Sequence, residues 1–206
     1  MARRPRTGGR SARIAAAVMD AVEELSKSTD RSELTVPLIA LKAGVPPSTI
    51  YRRWGSISEL MSDIAVDRMR PASEPADTGA LATDLEGWIE LYIEETASQL
   101  GRTALRDLFG SVTDMSNPVQ CSGYTYGQLQ LIATRAAARS EAVSADDLVD
   151  LLVAPVIYRI LFGGKPLDKE YGLELVKNAL LVVTKASPDP AVAATRGSGA
   201  QRKAIL

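Results

Sequence analysis

Histidine is absent from this 206-residue chain, and cysteine occurs once, at Cys121. Without imidazole there is no Ser-His-Asp triad, no histidine-built zinc or haem site, and no side chain that titrates near neutrality unperturbed. A lone cysteine excludes an intramolecular disulfide and a cysteine-built zinc centre. Aromatic residues make up only 5%. No uninterrupted apolar run approaches the ~20 residues of a membrane span. Residues 12–25 are broken by Arg13, Asp20, Glu23 and Glu24, so no signal peptide is read at the start. Acidic pairs such as Asp146/Asp147 and Glu94/Glu95 are adjacent on helices and do not converge on one point. The expectation is a cytoplasmic chain with no membrane partner, no metal, no cofactor and no catalytic residue.

What is present is ordinary for a globular protein: 46% hydrophobic and 24% charged residues. A chain of this length buries roughly 70% of its unfolded surface and needs no covalent staple. The net charge of -1 hides a split. Residues 1–55 hold ten Lys and Arg against five Asp and Glu, a net of +5, and the remainder is net -6. Arg3, Arg4, Arg6, Arg10 and Arg13 open the chain without a single acid between them. This asymmetry points to a small N-terminal unit that meets a polyanion, with a solubilising tail as the equal alternative from charge alone.

The hydrophobic pattern has helical spacing throughout and no strand–helix alternation. Ile14, Val18, Val22 and Leu25 mark a first helix. Thr35 is a plausible cap for a short helix ending at Ala43, and Gly44 supplies the stop. Pro47 starts the next, which ends at Trp54. Longer segments follow the punctuated linker Pro71–Pro75, and Pro155 kinks the helix that begins near Ser144 or leaves a carbonyl unpaired. Thr35–Trp54 therefore reads helix, Gly-containing turn, helix in about twenty residues, the size of a helix-turn-helix. On the second helix Pro47, Ser48 and Thr49 are short and permit close approach to bases, and Tyr51, Arg52 and Arg53 carry groups for phosphate or guanine. For each of Tyr51, Arg52 and Arg53 a core or solvated position is the alternative, and the sequence does not say which arginine reads a base.

The segment GVPPSTIYRRWGSISEL resembles the recognition segment of the TetR/AcrR transcriptional regulators. Ala43, Gly44, Val45, Thr49, Ile50, Tyr51, Trp54, Ser56 and Leu60 match that family's pattern, whereas Ile57 stands where a phosphate-contacting Lys is common. PVIYRILFGGKPLD, residues 155–168, is similar to a dimerisation-helix segment of a large subgroup. The resemblance implies an all-α fold of about nine helices, with a three-helix helix-turn-helix head and a C-terminal ligand-binding and dimerisation bundle. The expected division is a basic arm 1–9, a DNA-binding domain 10–55 with its motif at 35–54, a connecting helix and linker 56–75, a ligand and dimer domain 76–187, and a flexible tail 188–206.

The implied partners are a palindromic double-stranded operator, a second copy of the chain and a small apolar effector, in a nucleoid-associated bacterial regulator. A repressor is the expected sense. A DNA-coating protein without sequence preference and a helical enzyme are the rival classes. The implied DNA contacts are Arg3, Arg4, Arg10, Thr35, Pro47, Ser48, Thr49, Tyr51, Arg52 and Arg53, with Trp54 as a packing wedge. Trp88, Tyr92, Phe109, Met115, Cys121, Tyr124, Leu129 and Tyr158 are candidates for a ligand pocket, with core packing as the alternative for each. Leu148, Leu152, Val156 and Ile160, with Leu173, Val176, Leu180 and Val183, form two stripes read as a dimer interface, unless one subunit covers them itself.

Overall fold

A computed structural model of the chain describes residues 9–110, 115–141, 143–164 and 166–186. Arg3 and Arg4 and the expected tail 188–206 lie outside these residues, and Arg10 is described only as the first residue of a helix. Among the described residues the chain is helical and has no strand. It divides into two compact units. One contains 9–70 with the described part of 101–122, and the other contains 71–100 with the described part beyond 122.

In the first unit α1 (Arg10–Ser26), α2 (Val36–Ala43), α3 (Pro47–Trp54) and α4 (Ile57–Arg68) share one core. Val18, Val22, Ile39, Ile50 and Leu60 are its largest fully buried side chains. A short 3-10 turn, Arg31–Glu33, follows the polar break after α1. The division after Arg70 coincides with the proline-punctuated linker. Within the expected span 76–187, the described part of 101–122 groups with the head. The helix α6 (Gln99–Leu108) buries Ala104, Leu105 and Leu108, and it is tied to the head where its Asp107 carboxylate accepts a hydrogen bond from Arg31. α4 is not a mere connector, since Leu60, Met61 and Ile64 belong to the head core.

The second unit is built on α5 (Leu81–Ala97), most of α7 (Ser116–Ala138), a rod over 145–162 and α10 (Lys169–Ala186). Ser144 caps the rod by accepting the Asp147 N–H at 3.0 Å, with two acids in the first turn where the helix dipole favours them. The rod comprises α8 (Ala145–Leu148), one π turn (Val149–Val153) and α9 (Ala154–Phe162). Pro155 has no N–H for the Leu151 carbonyl, and the wider turn falls where a regular ladder would break. α10 lies close on α5: a Cβ at Gly172 would come 3.0 Å from Ile93 Cδ1.

The linker is tied down within this unit. Arg135 donates to the Pro75 carbonyl at 2.7 Å, and Gln128 donates to that of Ser73 at 3.2 Å. Asp84, fully buried at its side chain, accepts from the Thr78 N–H at 2.6 Å and from Arg139 at 2.7 Å.

Candidate nucleic-acid interface

The site is the turn between α2 and α3 together with the outer face of α3. Thr35 begins it, its Oγ1 accepting the Leu38 N–H at 3.4 Å. The hydroxyl is exposed and keeps its own hydrogen for an outside acceptor. Gly44 closes α2 at φ 66°, a left-handed conformation that suits glycine, and the Val45 N–H returns to the Ala40 carbonyl at 3.0 Å. Pro46 and Pro47 then set the start of α3, where a missing N–H is harmless.

Two residues hold α3 down. Ile50 is fully buried, and Trp54 is buried with its Nε1 donating to Asp63 Oδ2 on α4 at 2.9 Å. With those positions fixed inward, helical geometry turns Pro47, Ser48, Tyr51, Arg52 and Arg53 outward, and all five are exposed. Thr49 is half-buried at the edge of that face. Trp54 is thus the packing wedge that its place in the pattern suggests. Ile57 is half-buried and packs against the head core, so it has become a structural residue where the family pattern carries a cation.

A groove of about 770 Å³ runs beside α3, lined by Ser11, Ile14, Val45, Thr49, Arg52 and Arg53. The two arginines differ within it. Arg53 Nη1 donates to Ser11 Oγ at 2.7 Å and lies within 3.4 Å of the Ser11 carbonyl oxygen. Its guanidinium also stacks on the Trp54 ring, 4.9 Å from the centroid. Arg52 has no hydrogen bond or ion pair among the described residues. On α2 Lys42 pairs with Glu24 at 2.5 Å, and its hydrogen bond holds that carboxyl below the usual range.

The eight pocket candidates do not come together in one unit. Phe109, Met115 and Cys121 fall in the first, and the other five in the second. Phe109 and Met115 are exposed. Cys121 is buried with its thiol 3.6 Å from the Met69 sulfur, and burial pushes its pKa up, the wrong direction for a reactive thiolate. In the second unit Trp88 and Tyr92 stack with centroids 4.9 Å apart, and Trp88 Nε1 donates to Gln128 Oε1 at 3.0 Å. Tyr124 is half-buried and Leu129 fully buried. Tyr158 is 64% exposed and packs against Phe162, which is a surface position.

The two apolar stripes read as a dimer interface are largely covered within the protomer. Leu148, Leu152, Val156 and Val176 are buried by the protomer's own core, and Ile160 nearly so. Leu173, Leu180 and Val183 are half-buried. A buried apolar stripe looks the same in sequence whether its cover comes from the same chain or another. The apolar side chains left outside are one step round the helices: Tyr158, Leu161 and Phe162 on α9, and Leu181 and Val182 on α10. The sequence signal for this second face was present in the run of apolar residues at both 160–162 and 180–183.

Among the described residues no helix is long and apolar enough to cross a membrane, and no cluster of three or more potential metal ligands occurs.

Comparison with known proteins extends these observations. A family model for the tetracyclin repressor-like, C-terminal domain matches residues 75–179. An uncharacterized HTH-type transcriptional regulator of Mycobacterium tuberculosis is 29% identical over 158 residues, covering 72% of this chain and 76% of that protein. The HTH-type regulator YdeS of Bacillus subtilis is 26% identical over 197 residues, 89% of this chain and 94% of its own. Among solved structures, the TetR family repressor AlkX of a Dietzia strain superposes with a TM-score of 0.58 at 19% identity, covering 83% of this chain and 95% of AlkX. A TetR regulator from Rhodococcus gives 0.51 at 14% identity, over 86% of this chain and 98% of that one. Both carry the same fold.

Proposed function

The chain belongs to the TetR family of helix-turn-helix transcriptional regulators, and on that footing we propose that it is a homodimeric repressor released from a two-fold operator by a small apolar effector. Members of this family are DNA-binding regulators and not enzymes. The observation that carries the reading is α3: a helix fixed by Ile50 and Trp54 that presents Ser48, Tyr51 and Arg52 to solvent. Pro47, Ser48 and Thr49 approach base edges, Tyr51 and Thr35 serve the backbone, and Arg3, Arg4 and Arg10 add charge against the duplex.

Two copies place two such helices about 34–36 Å apart on successive major grooves. Tyr158, Leu161, Phe162, Leu181 and Val182 form the contact between copies, since these large apolar groups stand exposed on α9 and α10. Phe162→Glu is expected to convert the dimer to monomer in sedimentation experiments while leaving the far-ultraviolet circular dichroism unchanged. Affinity for a duplex with two half-sites then falls about 100-fold or more, because the second half-site no longer gains from the first. A variant that stays dimeric removes this face from the account.

The effector site is proposed around Trp88, Tyr92, Tyr124 and Leu129, where stacked rings and a hydroxyl suit an apolar molecule. The effector acts only by its different affinity for the DNA-competent and released states, with a coupling of about 1–3 kcal/mol. Labelled duplex and candidate apolar compounds test this together. A true effector weakens the duplex, and the duplex weakens the effector by the same factor.

A further inference from the structure

Arg52 and Arg53 are neighbours in sequence and both exposed, yet their surroundings differ. A guanidinium offers five N–H groups in a rigid fork, and paired recognition of a guanine edge needs two of them free and parallel. Arg53 has one nitrogen turned to Ser11, bonding Oγ at 2.7 Å, and its plane lies over Trp54. Trp54 is itself fixed by Asp63 at 2.9 Å. The result is a chain of contacts, α4 to Trp54 to Arg53 to the first turn of α1. Ser11 is the second residue of α1, and the arginine-rich residues 1–9 lead directly into that turn. Arg52 has no hydrogen bond or ion pair among the described residues. It stands one turn after Ser48 and Thr49, whose short side chains let the helix come close to the bases.

We propose that the two arginines have separate duties: Arg52 reads a guanine in the major groove and sets specificity, and Arg53 is a positioning residue that holds the start of α1, the turn to which the basic arm is joined in sequence, against the recognition helix. The division rests on the operator-binding reading above. Arg53 works on affinity through the arm's phosphate contacts, which carry the salt dependence. Arg52 works on the choice of base. Arg53 reaching for a base instead would break the bond to Ser11 and leave the ring of Trp54.

The test uses the full chain and a duplex recovered by the wild-type protein from a randomised pool, with binding followed by fluorescence anisotropy at several salt concentrations. Arg52→Ala and Arg52→Lys are expected to lose preference at one base pair in each half-site, by roughly 5- to 150-fold in discrimination. Lys restores attraction to phosphate but not the choice of base. Arg53→Ala is expected to keep the wild-type preference at every position, bind all duplexes more weakly and show a shallower salt slope. Ser11→Ala shifts the slope in the same direction and adds nothing to Arg53→Ala. In protein lacking residues 2–9, Arg53→Ala no longer changes the slope.

Loss of a base preference in Arg53→Ala, or its retention in Arg52→Lys, overturns the division. So does a full salt effect of Arg53→Ala in the arm-deleted protein, which makes Arg53 itself the phosphate ligand. A wild-type protein that recovers no preferred duplex overturns the operator reading and the division together, and is told apart by needing no variant at all.

Discussion

Asp84→Asn is expected to cost the second unit about 3–5 kcal/mol, the usual consequence of removing one partner from a buried pair. The Asp84 carboxylate is fully enclosed and accepts three bonds, from the Thr78 N–H and hydroxyl at 2.6 Å each and from Arg139 at 2.7 Å. Asn keeps the shape but turns an amide group toward donors. Urea unfolding should show a lower midpoint with an unchanged slope. The pH dependence has a definite sign. Burial pushes this carboxyl up, but Thr78 and Arg139 outweigh it and hold the group below the usual range. Its stabilisation is therefore complete above the unfolded value of about 3.9 and is lost as pH falls through the depressed folded value. The gap between wild type and variant closes on acidification.

Asp107 in the head supplies a control of opposite sign. There burial prevails over Arg31 and raises the carboxyl. Its contribution is present below about pH 3.9 and lost as pH rises through the raised value. Asp107→Asn at neutral pH should lie within about 1 kcal/mol of wild type, since the native site already disfavours the charge. Equal large costs at both positions would contradict these assignments.

Trp54→Ala is expected to remove duplex binding and to destabilise the head by about 3–5 kcal/mol. The buried indole fills the space between α3 and α4, ties the two through Asp63 and lies beneath Arg53. No other side chain on α3 does all three. Trp54→Phe keeps most of the packing and loses the bond to Asp63, so it should bind DNA more weakly than wild type but far better than the Ala variant. Denaturation and duplex binding, measured on the same samples, separate the two variants. Full binding by Trp54→Ala would mean that α3 is positioned by something other than this wedge.

The helix ends were legible because their signals are local. Thr35, Gly44, Pro47 and Ser144 act through their own backbone neighbourhood, and each stands at a helix boundary or one residue beyond it. The destination of each apolar face was not legible. Leu152 and Val156 repeat with the spacing of a buried stripe, and burial within the same chain, where α10 packs on the π turn and α5 on α9, satisfies that spacing as well as burial by a second copy would. The described residues of 101–122 have the same helical pattern as their neighbours, and it takes the folded chain, with Arg31 meeting Asp107, to show that they group with the head. The face of α3 follows from Ile50 and Trp54 alone, so its outward residues could be named in advance. The difference between Arg52 and Arg53 needed the position of Ser11, forty-two residues earlier in the chain.

Enrichment of duplexes from a fully randomised pool, at modest salt, tests the central claim most directly. The account predicts recovery of an inverted repeat whose half-site centres lie about 10–10.5 base pairs or a multiple apart, bound one dimer to each site or set of half-sites. Recovery of unrelated sequences in proportion to their abundance, or of none, would contradict it.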